Sequence, residues 1–322
     1  MADDKVRKLA EEALNRLSAD LEAGKSESLK KYLAAMGRFH RYSWGNVLLI
    51  SSQRPDATQV AGFHTWHDLG RWVKKGEKGI MIFAPVLVKE RDRPTVAPTK
   101  TLKSEEVFCL AGFRTAYVFD TSQTEGRPLP EFAKTTGDLK DYSEKLKALV
   151  ASRGIAVEYD AGIAPAQGVS SGGRIQLMPG MAPAEEFSVL AHELAHEMLH
   201  HRKETVLPPK LVRETQAEAV AFVVCRVVGL ETNTAAADYI ALYNGDKRAL
   251  AESLTVIQET SAKILNELLP EKGMTPPEQR QQFTTTPETD SSRPTSSRHP
   301  LSERSASADG ARPLEDSPVW DR

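Results

Sequence analysis

Apolar positions recur at helical spacing from residue 4 to residue 37: Leu9, Leu14, Leu17 and Leu21 share one face, and Leu29, Tyr32 and Leu33 continue the pattern beyond Gly24. Two amphipathic helices broken near that glycine are expected. The aromatic and apolar run from Phe39 to Ile50 predicts a third helix, in a unit that Pro55 ends. The pattern then turns strand-like, in Gln59-Val60-Ala61-Gly62-Phe63 and again from Gly79 to Val88, with a short charged segment carrying Trp66, Leu69 and Trp72 between them. Residues 89–105, rich in Pro, Thr and charge, read as a long hairpin loop, and Phe113–Phe119 as another strand. Thr121–Thr136, with Gly126, Pro128 and Pro130, reads as a linker or extended arm.

Helical periodicity resumes at Leu139–Val150 through Tyr142, Leu146 and Leu149, followed by a strand at Ile155–Tyr159. Gly172-Gly173 then leads a strand alternating at Ile175 and Leu177. A strong helix is expected over Glu185–His200, introduced by Pro183, with further helices from near Lys210 to about Val228, over 234–244 and over 247–269. The fold class is therefore α+β, with domains at 1–130 and 137–270. Thr, Ser, Pro and charged residues dominate 271–322, which cannot bury enough surface to offset its ordering entropy and is read as a disordered tail.

Composition narrows the function classes. A net charge of −2 over 322 residues gives no global field for nucleic acid, so any basic surface must be local. Cys109 and Cys225 are far apart and outside any CxxC, which excludes a disulfide scaffold or a cysteine-built zinc finger and fits a reducing compartment. The first residues run into a charged amphipathic stretch without an apolar core. The most apolar segment, Ala217–Leu230, is interrupted by Glu218 and Arg226 and is too short to span a bilayer. A cytoplasmic protein with no membrane partner is expected.

The chemistry concentrates in His192-Glu193-Leu194-Ala195-His196. On a helix, positions i and i+4 lie one turn apart on one face, so both imidazoles can turn to one ion, while Glu193, about 100° round the wheel, sits beside them. Two imidazoles with an open position suit Zn2+, which acidifies a bound water whose proton Glu193 would take. The helix is apolar at Val189, Leu190, Leu194, Ala195 and Leu199, as a packed helix should be, and a strand at Arg174–Met178 precedes it where zincins carry the edge strand that pairs with substrate. Glu197 departs from zincins, which usually have an uncharged residue there. Leu199 and Arg202 stand where metzincins have glycine and histidine, so that route to a third ligand is closed. His200 cannot join the same ion, because three side chains along one straight helix span two turns; an outer position or the surface is expected for it and for His201. Tyr239, His200 and Arg213 are candidates for stabilising an oxyanion.

The helix that follows carries Arg213-Glu214-Thr215-Gln216-Ala217-Glu218, two carboxylates at i and i+4 on an otherwise apolar helix. This resembles the Glu-x-x-x-Asp/Glu element of gluzincins. The resemblance implies Glu214 as third zinc ligand and Glu218 as the group that orients a ligand histidine through its other nitrogen, with the reverse roles as the alternative.

The first half carries a second resemblance. Ser43-Trp44-Gly45-Asn46, Gln53-Arg54-Pro55-Asp56-Ala57-Thr58, Trp66, Gly70-Arg71-Trp72-Val73-Lys74-Lys75-Gly76-Glu77-Lys78-Gly79-Ile80 and Val118-Phe119-Asp120-Thr121-Ser122-Gln123-Thr124 stand in one order over about the first 130 residues. In that order they resemble the N-terminal domain of ArdC-type antirestriction proteins. The family resemblance implies a single-stranded-DNA-binding domain joined to a zincin-like domain akin to the ImmA/IrrE peptidases, in plasmid- or phage-borne proteins that protect incoming DNA from restriction, as in conjugation. Cations interleaved with aromatics are what sequence-tolerant single-strand binding uses, which makes Trp44, Asn46, Trp66, Arg71, Trp72, Lys74, Lys75 and Lys78 the candidate DNA residues. Two rival readings are a regulatory metalloprotease that cleaves a repressor as its protein substrate, and a non-catalytic DNA-binding protein whose zinc is structural.

Overall fold

The computed structural model describes residues 2–89, 108–128, 139–201, 207–231 and 246–269. All of them fall within one compact unit, Met1–Gln281. The expected hairpin loop, the boundary near 130–137, the helix at 234–244 and the tail lie wholly or mostly outside the described residues.

The chain begins with α1 (Ala2–Glu22) and α2 (Ser26–Arg38). Gly24 joins them with φ +70°, and the Gly24 and Lys25 N–H groups donate to the Leu21 and Asp20 carbonyls at 2.9 and 2.8 Å. That pairing closes the last turn of α1 and needs the left-handed backbone glycine adopts most readily. α3 (Trp44–Gln53) starts at Ser43, whose side chain accepts from the Asn46 N–H. The expected helix thus begins five residues later than Phe39, because Phe39–Tyr42 forms the turn out of α2.

β1 (Val60–Gly62), β3 (Ile80–Lys89) and β4 (Phe108–Asp120) form an antiparallel sheet with β4 in the middle. The charged segment between β1 and β3 folds as α4 (Phe63–Asp68) and β2 (Arg71–Val73). β2 pairs antiparallel with β5 (Thr124–Gly126), Arg71 opposite Gly126. The start of the stretch read as a linker is therefore structured, and three-residue strands carry no period by which sequence could reveal them.

The outer edge of β3 is closed by side chains. Asn46 Nδ2 donates to the Phe83 carbonyl at 2.8 Å and its Oδ1 accepts from the Phe83 N–H at 2.9 Å. Two turns on, Gln53 does the same for Met81, at 2.8 and 3.0 Å. Each amide stands in for a neighbouring peptide, so α3 satisfies an edge that would otherwise expose its backbone groups.

The second half runs α5 (Leu139–Ser152), β6 (Ala156–Tyr159), β7 (Gly168–Ser170), β8 (Arg174–Leu177), α6 (Pro183–His200), α7 (Lys210–Val227) and α8 (Lys247–Leu268). β8 is the middle strand, parallel to β6 and antiparallel to β7. The strand expected to be the edge near the histidine helix is therefore flanked on both sides, and the edge beside α6 is β7. Sequence missed β7 because Gly168-Val169-Ser170 is short and sits among small residues.

α7 is apolar on nearly every side and accordingly buried: it packs against α6, α8 and α2, with residues 219–225 all enclosed. Gly37 permits the α2 crossing, since a Cβ there would lie 2.7 Å from a Val227 methyl carbon. One hydrophobic core runs from Ala13 and Leu33 through Val118 to Leu194, Val220 and Leu265. No helix among the described residues is long and apolar enough to cross a membrane.

Candidate metal centre

α6 starts with Pro183 in its first turn and Glu185 and Glu186 beside its free N–H groups, the arrangement the helix dipole favours. Its apolar face, Phe187, Leu190, Ala191, Leu194, Ala195 and Met198, goes into the core. That fixes the rotation of the helix and turns His192 and His196 toward α7.

The two Nε2 atoms stand 3.0 Å apart. Glu214 Oε2, from α7, lies 3.6 Å from His192 Nε2 and 3.3 Å from His196 Nε2. Ligand atoms about 2.0–2.1 Å from a tetrahedral ion stand roughly 3.3 Å from one another, so this triangle has the dimensions an ion would impose. Two imidazoles and a carboxylate are the donor chemistry of a divalent cation site. Glu218 Oε2 lies 3.3 Å from the opposite ring nitrogen of His192, Nδ1. The two glutamates of α7 thus meet different sides of the histidine pair, Glu214 in front and Glu218 behind.

The electrostatics answer to these contacts. Burial alone would pull His192 down, yet its hydrogen bond to Glu218 and the charges of Glu193, Glu218 and Glu214 hold it above the ordinary histidine range. Burial and the neighbouring His192 draw His196 down to about 4.

Glu193 is 7% exposed and burial raises its carboxyl above the usual range. The hydroxyl and backbone N–H of Ser170, on β7, hydrogen bond it and hold it at the strand edge. Gly168 makes that approach feasible: a Cβ there would lie 2.6 Å from Val189 and 2.8 Å from Glu193. Glu197, unusual for its position, also has a role. Its carboxylate accepts the N–H groups of Gly172 and Gly173 at 2.8 Å each, bracing the turn between β7 and β8, where both glycines have positive φ.

His200 is buried and bonded to His196 at the far side of the ring, away from the Glu214 face, and is not placed to serve as an oxyanion donor. His201 is exposed. Arg213 Nε is buried without a hydrogen-bond partner among the described residues, and Tyr239 lies outside them. Sequence reasoning passed over Ser170 and Gly168, whose strand it did not see, and Gln216, an ordinary polar residue on α7.

The eight candidate DNA residues divide by burial. Trp66 is enclosed, its indole N–H donating to the Phe119 carbonyl at 2.8 Å, and Asn46 is committed to β3. Trp44 packs against the core. Arg71 is fixed by Thr124 and the Arg127 carbonyl at 2.6–3.0 Å. Trp72, Lys74, Lys75 and Lys78 are exposed, with Lys74 Nζ reaching the Ser122 carbonyl at 3.0 Å. Phe63 and Tyr117, aromatics that the sequence also places among these cations, are half exposed too, and Tyr117 lies against Gly79, next to Lys78.

Residues 7–119 match the model of a family described as the N-terminal domain of anti-restriction factor ArdC. An uncharacterized protein of Bacillus anthracis is 28% identical over 306 residues, which cover 82% of this chain and 52% of that protein. The chain thus spans about half the length of that relative. Two crystal structures of the antirestriction ArdC protein from the R388 plasmid also align, each with 80% of this chain and 97% of theirs covered. The metal-free one is 20% identical with a TM-score of 0.49, and the Mn(II)-bound one 17% identical with 0.48.

Proposed function

We propose, from the premise that this is an ArdC-type protein by its N-terminal domain, that it is an antirestriction factor that binds single-stranded DNA with that domain. In this reading its second half carries a zinc metallopeptidase-like centre of gluzincin type. One observation carries the second part: His192, His196 and Glu214 approach one another at 3.0–3.6 Å, with Glu193 beside them on the same helix. A zinc ion held by those three residues would supply Lewis acidity and lower the pKa of water. Glu193, kept basic by burial and aimed by Ser170, would take the proton of the attacking water and return it to the leaving amine. The family match and the exposed Trp72, Lys74, Lys75 and Lys78 support the DNA part, with Phe63 and Tyr117 as further stacking surfaces.

Two experiments test this reading. Trp72→Ala combined with Lys74→Gln, Lys75→Gln and Lys78→Gln should weaken single-strand binding by the roughly 1–3 kcal/mol of one stacked base plus the lost phosphate contacts. The salt slope should fall by about 0.7 for each lysine that meets a phosphate. Because these side chains are exposed, the melting temperature should hold, and binding undiminished in the variant would remove the DNA strand from this surface. Glu193→Gln should retain the metal and lower any peptide hydrolysis by about 10²–10⁴-fold. Antirestriction that survives Glu193→Gln intact would mean that hydrolysis is dispensable and that the metal serves structure.

A further inference from the structure

His192 and His196 are held from behind in different ways. Behind His192 stands a carboxylate, Glu218, which can only accept and therefore demands a proton on Nδ1. Behind His196 stands another histidine. The two Nδ1 atoms of His196 and His200 are 3.0 Å apart, His200 Nε2 is 3.1 Å from Gln216 Oε1, and Gln216 Nε2 donates to Ser253 Oγ at 3.1 Å. The chain crosses from α6 to α7 to α8, and each of these four residues is buried.

Protons can run along this chain in two directions. With the Gln216 carbonyl toward His200, His200 carries its proton on Nε2, its Nδ1 accepts from His196 Nδ1–H, and His196 Nε2 presents a lone pair to the Glu214 side. With the amide reversed, every proton shifts: His200 Nδ1–H would donate to His196 Nδ1, and His196 Nε2 would carry a hydrogen and could not ligate. An imidazole's tautomer is set by what its other nitrogen meets, and here that partner is itself ambivalent until Gln216 decides it.

We propose that His200 and Gln216 are positioning residues that set the tautomer of His196, so that the amide orientation of Gln216 determines whether His196 can bind a cation. This rests on the reading of His192, His196 and Glu214 as ligands. It explains why a third histidine sits one turn past the motif yet meets His196 on the side away from Glu214.

The test has two arms. Long-range 1H–15N spectra of the metal-free protein near neutral pH should show His196 protonated on Nδ1 and His200 on Nε2. In competition with a chromophoric chelator, Gln216→Leu should weaken Zn2+ binding by about 10–100-fold, the usual effect of losing an outer partner of a ligand histidine. Gln216→Glu, which keeps an acceptor toward His200, and His200→Asn, whose Oδ1 can replace Nδ1, should stay within a few-fold of the parent. A merely structural role predicts that Gln216→Glu, which buries a charge, loses affinity at least as much as Gln216→Leu; that result, or His196 protonated on Nε2 in the parent, overturns the proposal. A parent protein that shows the expected tautomers but binds no Zn2+ would refute the ligand reading and leave the proton order of the chain standing.

Discussion

Glu214→Ala should abolish tight binding of a divalent cation, whereas Glu218→Ala should weaken it by only about 10–100-fold. The two residues are one helical turn apart on α7 and look equivalent in sequence. They differ in what they face. Glu214 Oε2 lies within 3.6 Å of both Nε2 atoms, the sides on which an ion would be shared, while Glu218 meets only Nδ1 of His192. Removing Glu214 deletes one of three protein donors and leaves two neutral imidazoles to hold a dication. Removing Glu218 leaves the donors in place and frees the His192 ring to change tautomer. The measurement is metal content after dialysis, followed by chelator competition. A second readout is the rise in melting temperature on adding Zn2+: a cation at about a thousand times its Kd stabilises the fold by roughly 4 kcal/mol, and Glu214→Ala should lose that rise. Both variants should fold, because each carboxylate is partly exposed. The reverse order of affinities would assign the ligand role to Glu218.

What sequence could foresee depended on how local each signal was. The helices α1, α2 and α6 were legible because each carries several turns of its own periodic pattern, α7 because its apolar run is longer than a strand, and the histidine spacing because one helix contains it. The i, i+4 glutamates were equally local, although which of them faces the ion depends on the rotation of α7 against α6. The strand order of the second sheet was not legible: Arg174–Leu177 is four residues long, and nothing in it says that β7 will pair on its other side. Trp66 and Trp72 stand six residues apart in one unpatterned segment, and one is buried while the other is exposed. Whether an aromatic there is core or surface is decided by β4 and β5, some fifty residues away. The chain through His200, Gln216 and Ser253 joins three helices, and no window of sequence contains it.

The same division recasts the residues that carry the family resemblance, and Asn46 gives the second large effect. Asn46→Leu should cost about 2–6 kcal/mol of stability, because the Phe83 N–H and carbonyl that its amide serves would each lose a partner at about 1–3 kcal/mol. Against a typical total of about 5–15 kcal/mol that is a large fraction, visible as a lower midpoint in urea with little change in slope. Gln53→Leu should behave alike, since it serves Met81 in the same way. Asp120 is a third residue of this kind: its carboxylate accepts the N–H groups of Thr58, Gln59 and Ser122 at 2.8–3.1 Å. All three side chains satisfy backbone groups, although Asn46 reads from sequence as a candidate DNA residue. Trp72→Ala supplies the contrast, because an exposed ring can be removed at little cost in stability. At a temperature where both variants are folded, Asn46→Leu should hold single-stranded DNA nearly as well as the parent and Trp72→Ala should hold it less well. A stable Asn46→Leu protein with impaired DNA binding would return Asn46 to the DNA surface and leave the edge of β3 to be closed by water.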